Sequence, residues 1–127
     1  AESLFAELLP SMDAPVLLHG DLHHENILSA ARSPWLAVDP KGVVGEPVYE
    51  TGALLRNPWP EVVNRPDVAG VLSRRIDQLS EMLDVDRDRI RAWGIAQAVL
   101  SACWTVEDGG SDWEFAIRIA ELLNHHR

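Results

Sequence analysis

His19-Gly20-Asp21-Leu22-His23-His24-Glu25-Asn26-Ile27-Leu28, answered further on by Val38-Asp39-Pro40-Lys41-Gly42, is the stretch whose reading decides the fold. The apolar run Val16-Leu17-Leu18 delivers the chain into a polar loop with a carboxylate at Asp21 and a carboxamide at Asn26. A short apolar segment and a turn follow, and a second apolar segment, Trp35-Leu36-Ala37-Val38, ends on another carboxylate at Asp39. Two short strands joined by a turn would bring Asn26 and Asp39 to the same end of a hairpin, with Asp21 on the loop leading in. An acid, an amide and an acid converging on loop ends suit an oxygen-rich site for a hard cation such as Mg2+. Pro40 disfavours helical backbone at Asp39, which predicts an extended residue pointing off the strand end.

Working outward, Glu2 to Leu9 reads as a short amphipathic helix with Leu4, Phe5, Leu8 and Leu9 at helical spacing. Strands are predicted at about Val16–His19, Ile27–Ser29 and Trp35–Val38, with Ala30–Pro34 as the turn. Gly42, Gly45 and Pro47 punctuate a loop, and a helix over Tyr49–Arg56 is ended by Asn57-Pro58 and Trp59-Pro60. Three helices complete the chain. The first carries the stripe Val68, Leu72, Ile76, Leu79 and Leu83 after Asp67, a good N-cap residue. The second follows Asp86 with Ile90, Trp93, Gln97, Leu100 and Trp104, and the third runs through Phe115, Ile119 and Leu122. The five tryptophans are expected to be mostly in the core.

At 127 residues the chain has room for one domain with its own core. No apolar run approaches the roughly 20 residues that span a bilayer, so no membrane association is expected. A single cysteine, Cys103, cannot make an internal disulfide, which fits a reduced, cytoplasmic setting. The formal charge of −9 argues against nucleic acid, whose phosphates need clustered Lys and Arg, and favours a cationic ligand.

The spacing of His19-Gly20-Asp21 to Asn26 resembles the HGD-x4-N catalytic loop of the aminoglycoside phosphotransferases, small-molecule kinases related to protein kinases. Asp39 falls where that family keeps its metal-binding acid. The run LLHGDLHHENIL followed by WLAVDPKGVVGEPVYE is most similar to the streptomycin 6-kinase branch, which includes hydroxyurea phosphotransferases. The likeness is specific from Leu17 to Glu50 and beyond Asn57 is one of helices only. It implies an α+β fold: over residues 1–127, the mostly helical C-terminal lobe of a protein-kinase-like fold, with a small β-hairpin carrying the catalytic loop and the N-terminal nucleotide lobe absent. The implied activity is an antibiotic-resistance one, ATP-dependent O-phosphotransfer to a hydroxyl of a cationic aminoglycoside or aminocyclitol. Mg2+ is the implied cofactor, and ATP or another nucleoside triphosphate the co-substrate.

On this resemblance Asp21 would orient the acceptor hydroxyl and take its proton. Asn26 and Asp39 would ligate the metal, and His19 with Gly20 would position the loop. Each residue also has a plainer reading: Asp21 as a turn former, Asn26 as an Asx-turn residue. Protein kinases follow the metal-binding acid with Phe and Gly, whereas Pro40-Lys41-Gly42 follows it here, which removes the aromatic switch residue. Gly45-Glu46-Pro47-Val48-Tyr49-Glu50 resembles the family's GDP-x2-D element with Glu for both Asp, and is read as tying the loop to the helix that follows. Trp104, Glu107, Asp108, Asp112 and Glu114 lie near one helix junction, where the family places acids that hold cationic sugars; a solvated acidic turn accounts for them equally well. His19 and His23 could suggest zinc, but Gly20 opposes a helix there and no cysteine lies nearby. Glu25 reads as a loop-surface acid and His125-His126 as a solvated tail.

Phosphoryl transfer also needs a grip on the nucleotide, commonly a Gly-rich loop and a lysine on a nearby strand. No G-x-G-x-x-G precedes the loop, and the only lysine is Lys41. A lobe by itself would expose apolar surface and self-associate or take a partner. Two other functions therefore stand beside the first: a non-catalytic, self-associating remnant of the fold, and a kinase of hydroxyurea or another small metabolite.

Overall fold

The computed structural model describes residues 1–125. Its elements in chain order are α1 (Glu2–Leu8), β1 (Val16–Leu18), β2 (Ile27–Leu28), β3 (Leu36–Ala37), β4 (Val43–Gly45), α2 (Thr51–Arg56), α3 (Val68–Leu83), α4 (Arg87–Glu107) and α5 (Trp113–His125). Short 3-10 turns at His24–Asn26, Pro47–Glu50 and Glu61–Asn64 link them. The strands form two antiparallel pairs. In one, Ile27 lies opposite Ala37 and Leu28 opposite Leu36. In the other, Val16, Leu17 and Leu18 face Gly45, Val44 and Val43.

The expected hairpin is therefore present as β2 and β3, while the segment expected as loop contains the strand β4. Val43-Val44-Gly45 is a three-residue run that follows Gly42 and ends on a glycine, too short to announce a strand, and its partner lies far away in sequence. The predicted helix from Tyr49 divides into a 3-10 turn, Pro47–Glu50, and α2.

Helix α4 is the axis on which the other helices pack. Ile90, Trp93, Ala96 and Ala98 are buried along it, and the Trp93 ring meets Phe5 of α1 and Tyr49 edge-on, at centroid distances of 6.1 and 5.4 Å. Such edge-to-face contacts add about 0.5–1.5 kcal/mol to the gain from burial alone. Only Trp93 among the five tryptophans is fully in the core. Trp59 is half-buried, and Trp35, Trp104 and Trp113 are exposed. The α4 stripe accordingly ends before Trp104. On α5 the inward face is Ala116, Ile119, Ala120 and Leu123, with Leu122 half-buried against the core and Phe115 exposed; α5 packs closely on α4, and its alanines permit that approach. Leu83 at the end of α3 is exposed as well.

Asp86 caps α4 as expected, its carboxylate accepting the Arg89 N–H at 3.0 Å. Asp67 does not cap α3 through its side chain; it holds the Arg74 guanidinium at 3.3 Å instead. His125 ends α5 and is exposed, and His126 lies outside the described residues.

One buried carboxylate joins three parts of the fold. Glu46, with 0% of its surface exposed, accepts hydrogen bonds from Arg89 Nε on both oxygens (2.9 and 3.0 Å) and from the Trp93 indole N–H. The same guanidinium donates to the Leu8 carbonyl at the end of α1 and to the Ser11 hydroxyl and carbonyl just beyond it. Glu46 thus ties the strand exit to α4 and, through Arg89, to α1. Removing one partner of a buried ion pair costs about 3–5 kcal/mol, because the other charge is left uncompensated. Glu46→Ala should lower the free energy of unfolding by about 3 kcal/mol or more, measured by urea denaturation followed by circular dichroism. A loss under about 1 kcal/mol would mean that the bonds from Arg89 to Ser11 and Leu8 suffice.

Candidate active site

The loop after β1 is held almost entirely by polar bonds. The backbone N–H groups of His19 and Gly20 donate to the two carboxylate oxygens of Glu50, at 3.0 and 2.8 Å. The His19 ring spans the loop: Nδ1 accepts the Asp21 N–H at 3.2 Å and Nε2 donates to the Val38 carbonyl at 2.6 Å. These partners place a ring proton on Nε2 and leave Nδ1 as the acceptor. The Lys41 N–H donates to the His19 carbonyl at 2.7 Å, so the β3–β4 connection is bound to the same residue. Gly20 has φ +87°, and a Cβ there would come within 2.7 Å of Val43 Cγ2 on β4. Both the left-handed backbone and the close strand require glycine.

Asn26 is buried at the end of the 3-10 turn, with Nδ2 donating to the Asp21 carbonyl (2.8 Å) and to Asp21 Oδ2 (3.3 Å). Its amide oxygen has no hydrogen-bond partner among the described residues. Val38 N–H donates to the Asn26 carbonyl at 2.8 Å, which sets Asp39 one residue beyond Asn26's partner at that end of the hairpin. Asp39 is exposed, and its carboxylate takes no hydrogen bond or ion pair among the described residues. Its backbone is not extended as Pro40 suggested. It has φ +57°, a left-handed conformation in which the chain turns at once so that Lys41 can reach His19. His23 caps the 3-10 turn by accepting the Glu25 N–H at Nδ1, and its Nε2 lies 3.6 Å from Asp21 Oδ2.

Among the described residues no three His, Cys, Asp or Glu side chains gather closely enough to hold a metal by themselves. By donor type, an amide oxygen at Asn26 and a carboxylate at Asp39 would suit Mg2+, which takes few protein ligands and completes its shell with water and phosphate oxygens.

Asp21 opens onto a cleft of about 310 Å3 whose other walls include His23, Glu25, Arg56, Asn57, Trp59, Thr105 and Asp112. The acids suggested for a cationic substrate are separated by the fold. Asp112 lines this cleft, Glu107 lines a different hollow between α4 and α5, and Trp104, Asp108 and Glu114 line neither. A larger groove of about 550 Å3 between α1 and the start of α4 contains none of the loop residues.

Glu50, expected only as part of a loop-to-helix tie, also holds the His19-Gly20 loop itself. One further participant had no signature in the sequence. Arg56 looked like an ordinary helix residue, yet it stands in the cleft wall with Asp21. Burial lowers the Arg56 pKa from its ordinary value, opposed by the Asp21 and then the Tyr49 charge. Burial raises that of the Tyr49 phenol, with Arg56 acting in the opposite sense. Beneath the loop, His24 is lowered by burial and by the Arg75 and His23 charges.

A helical lobe with a strand-borne loop of this kind is the C-terminal lobe of a kinase-like fold. The chain belongs to the aminoglycoside/hydroxyurea antibiotic resistance kinase family, whose model matches residues 1–109. It is 38% identical over 111 residues to a streptomycin 6-kinase of Streptomyces glaucescens, covering 87% of this chain and 36% of the relative. It is 41% identical over 108 residues to a hydroxyurea phosphotransferase of Kitasatospora aureofaciens, covering 84% of this chain and 29% of the relative. A streptomycin 3''-kinase of Klebsiella pneumoniae is 35% identical over 111 residues, 86% of this chain and 42% of the relative. The chain thus spans about a third of the length of these curated relatives. No solved structure matches it, and no described helix is long and apolar enough to cross a membrane.

The Glu50 clamp makes a local forecast. Hydrogen bonds to charged groups contribute about 1.5–3 kcal/mol, so Glu50→Ala should speed amide exchange at His19 and Gly20 by roughly ten- to a hundredfold while the α4 core amides keep their protection. Unchanged exchange at those two amides would show that the His19 side chain holds the loop alone.

Proposed function

We propose that this chain is the acceptor-side catalytic lobe of an ATP-dependent O-phosphotransferase acting on a hydroxyl of a cationic aminocyclitol of the streptomycin type. The observation that carries the reading is the contact of Asp21 with Asn26 at the mouth of a cleft. Asp21, Glu25 and Asp112 supply three carboxylates there against one guanidinium, Arg56. That excess of negative charge attracts a cationic acceptor.

In the reaction, Asp21 would accept a hydrogen bond from the acceptor hydroxyl and take its proton as the oxygen–phosphorus bond forms and the bond to the nucleoside diphosphate breaks. Asn26 Nδ2 keeps the Asp21 carboxylate oriented, and His19 keeps the Asp21 backbone in place. Asn26 Oδ1 and the Asp39 carboxylate would hold the magnesium, which neutralises phosphate charge when bound. The names of the relatives support a kinase and span more than one acceptor, so hydroxyurea or another small metabolite is an alternative acceptor for the same centre.

The second reading, a self-associating module, rests on the strand face. Leu17 and Val44 are cross-strand partners with 77% and 68% of their surfaces exposed, and Trp35 is exposed too. Light scattering on the purified chain separates the two readings: concentration-dependent oligomers indifferent to ATP and streptomycin favour the module.

The direct test is phosphate transfer from ATP to streptomycin by the full polypeptide that carries these residues. Asp21→Ala should lower kcat by about 100-fold or more. A rate within a few-fold of the parent would remove Asp21 from the role of base.

A further inference from the structure

Arg56 ends α2, where an arginine usually serves the last carbonyls of its helix. Here that work is done by another residue. Arg75 Nη1 donates to the carbonyl of Leu54 at 2.8 Å and also to those of Leu55 and Asn57. Arg56 is instead fixed sideways. Its Nη1 donates to Gln97 Oε1 at 3.0 Å, and the buried Gln97 amide is itself oriented by donating to the Tyr49 carbonyl. Helix α2 leaves room for that amide only because residue 52 is glycine: a Cβ there would lie 2.5 Å from Gln97 Cδ. Three positions, 52, 56 and 97, are thus committed to holding one guanidinium at the cleft wall. Its Nε and Nη2 have no protein partner among the described residues, and it forms no ion pair with Asp21, although both line the same cleft.

We propose that Arg56 is a phosphate-holding residue of the acceptor cleft, its free guanidinium N–H groups taking the oxygens of the transferred phosphoryl group and of the phosphorylated product. The inference rests on the phosphotransferase reading above. A carboxylate and a guanidinium that share a cleft without pairing leave a slot with two different ends. The acceptor hydroxyl gives its proton to Asp21 at one end. As the acceptor oxygen–phosphorus bond forms and the phosphorus–oxygen bond to the nucleoside diphosphate breaks, negative charge lies on the phosphoryl oxygens at the other. A planar fork of donors matches those oxygens two at a time, which an ammonium cannot do. A cation that merely filled space in a site for cationic acceptors would weaken their binding with no return.

The test has two arms. In the first, inorganic phosphate is titrated calorimetrically into the 127-residue chain at low salt. Saturable binding weakened about tenfold or more by Arg56→Gln, and strengthened by Asp21→Asn, is the expected result. No binding by the parent chain, or equal binding by Arg56→Gln, overturns the proposal. If Arg56→Gln does not fold, Arg56→Lys carries the arm: weaker binding supports the role of the fork and unchanged binding overturns it. In the second arm, transfer from ATP to streptomycin by the full polypeptide should lose about 100-fold or more in kcat with Arg56→Gln while the streptomycin KM stays within about threefold. Arg56→Lys should restore part of the rate. A raised KM at unchanged kcat would make Arg56 an acceptor-binding residue and overturn the proposal. The two assignments fail separately: activity retained by Asp21→Ala removes the base, whereas unaltered phosphate binding in the Arg56 variants removes the phosphate site.

Discussion

Two carboxylates four residues apart, Glu46 and Glu50, hold the catalytic-type loop and the helical core in one frame. Glu46 precedes the Pro47–Glu50 turn and Glu50 closes it, and the two face opposite ways. Glu46 is sunk among Arg89 and Trp93 on the α4 side, and Glu50 takes two backbone amides of the loop on the other. A fully buried carboxylate is costly unless its lone pairs are occupied by strong donors. Arg89 and Trp93 occupy them, and so place the turn. Once the turn is placed, Glu50 has no freedom to follow the loop, so the loop must come to Glu50. Its backbone can do so because Gly20 adopts a left-handed conformation beside Val43.

This arrangement explains what could be read from the sequence. Asp21, Asn26 and the β2–β3 hairpin lie within a short span, and their relation is set by local rules: an apolar strand, a glycine turn, a 3-10 turn capped by His23 and an apolar strand back. The β1–β4 pairing and the Arg56–Gln97 bond join residues far apart, and no spacing announces them. The tryptophans misled for a different reason. A large ring enters the core only where neighbouring elements leave a wide gap, and α4 offers one at Trp93, between α1 and the Tyr49 turn. Toward its C-terminus α4 meets α5 through small residues, which leaves Trp104 and Trp113 outside. The turn of Asp39 into the left-handed region was hidden because Pro40 only disfavours the right-handed helix; the pull of His19 on Lys41 selects the remaining conformation.

The charge of −9 and the single guanidinium in the cleft act over different distances. The net charge sets a field felt across roughly a Debye length, about 8–10 Å at ordinary ionic strength, which gathers cations of any shape. Arg56 acts at hydrogen-bond distance and only on groups already in the cleft. An acidic surface and one anchored cation therefore do not oppose each other. On the proposed reading, the first would raise the local concentration of a cationic acceptor, and the second would set which end of the cleft takes an anion.

The strand side of the molecule is held by polar bonds more than by apolar packing. Leu18 is the only buried side chain on β1, while Val16, Leu17 and, across the ladder, Val44 are exposed, and Leu28 of β2 is exposed as well. The helical side has the opposite character, with Leu55, Leu72, Ile90 and Ile119 all but sealed from solvent. Hydrogen bonds set direction sharply but give a modest net stabilisation, whereas burial gives stabilisation without direction. The fold divides the two: α4 and its neighbours supply stability, and the His19, Asn26 and Glu50 bonds supply the geometry of the loop.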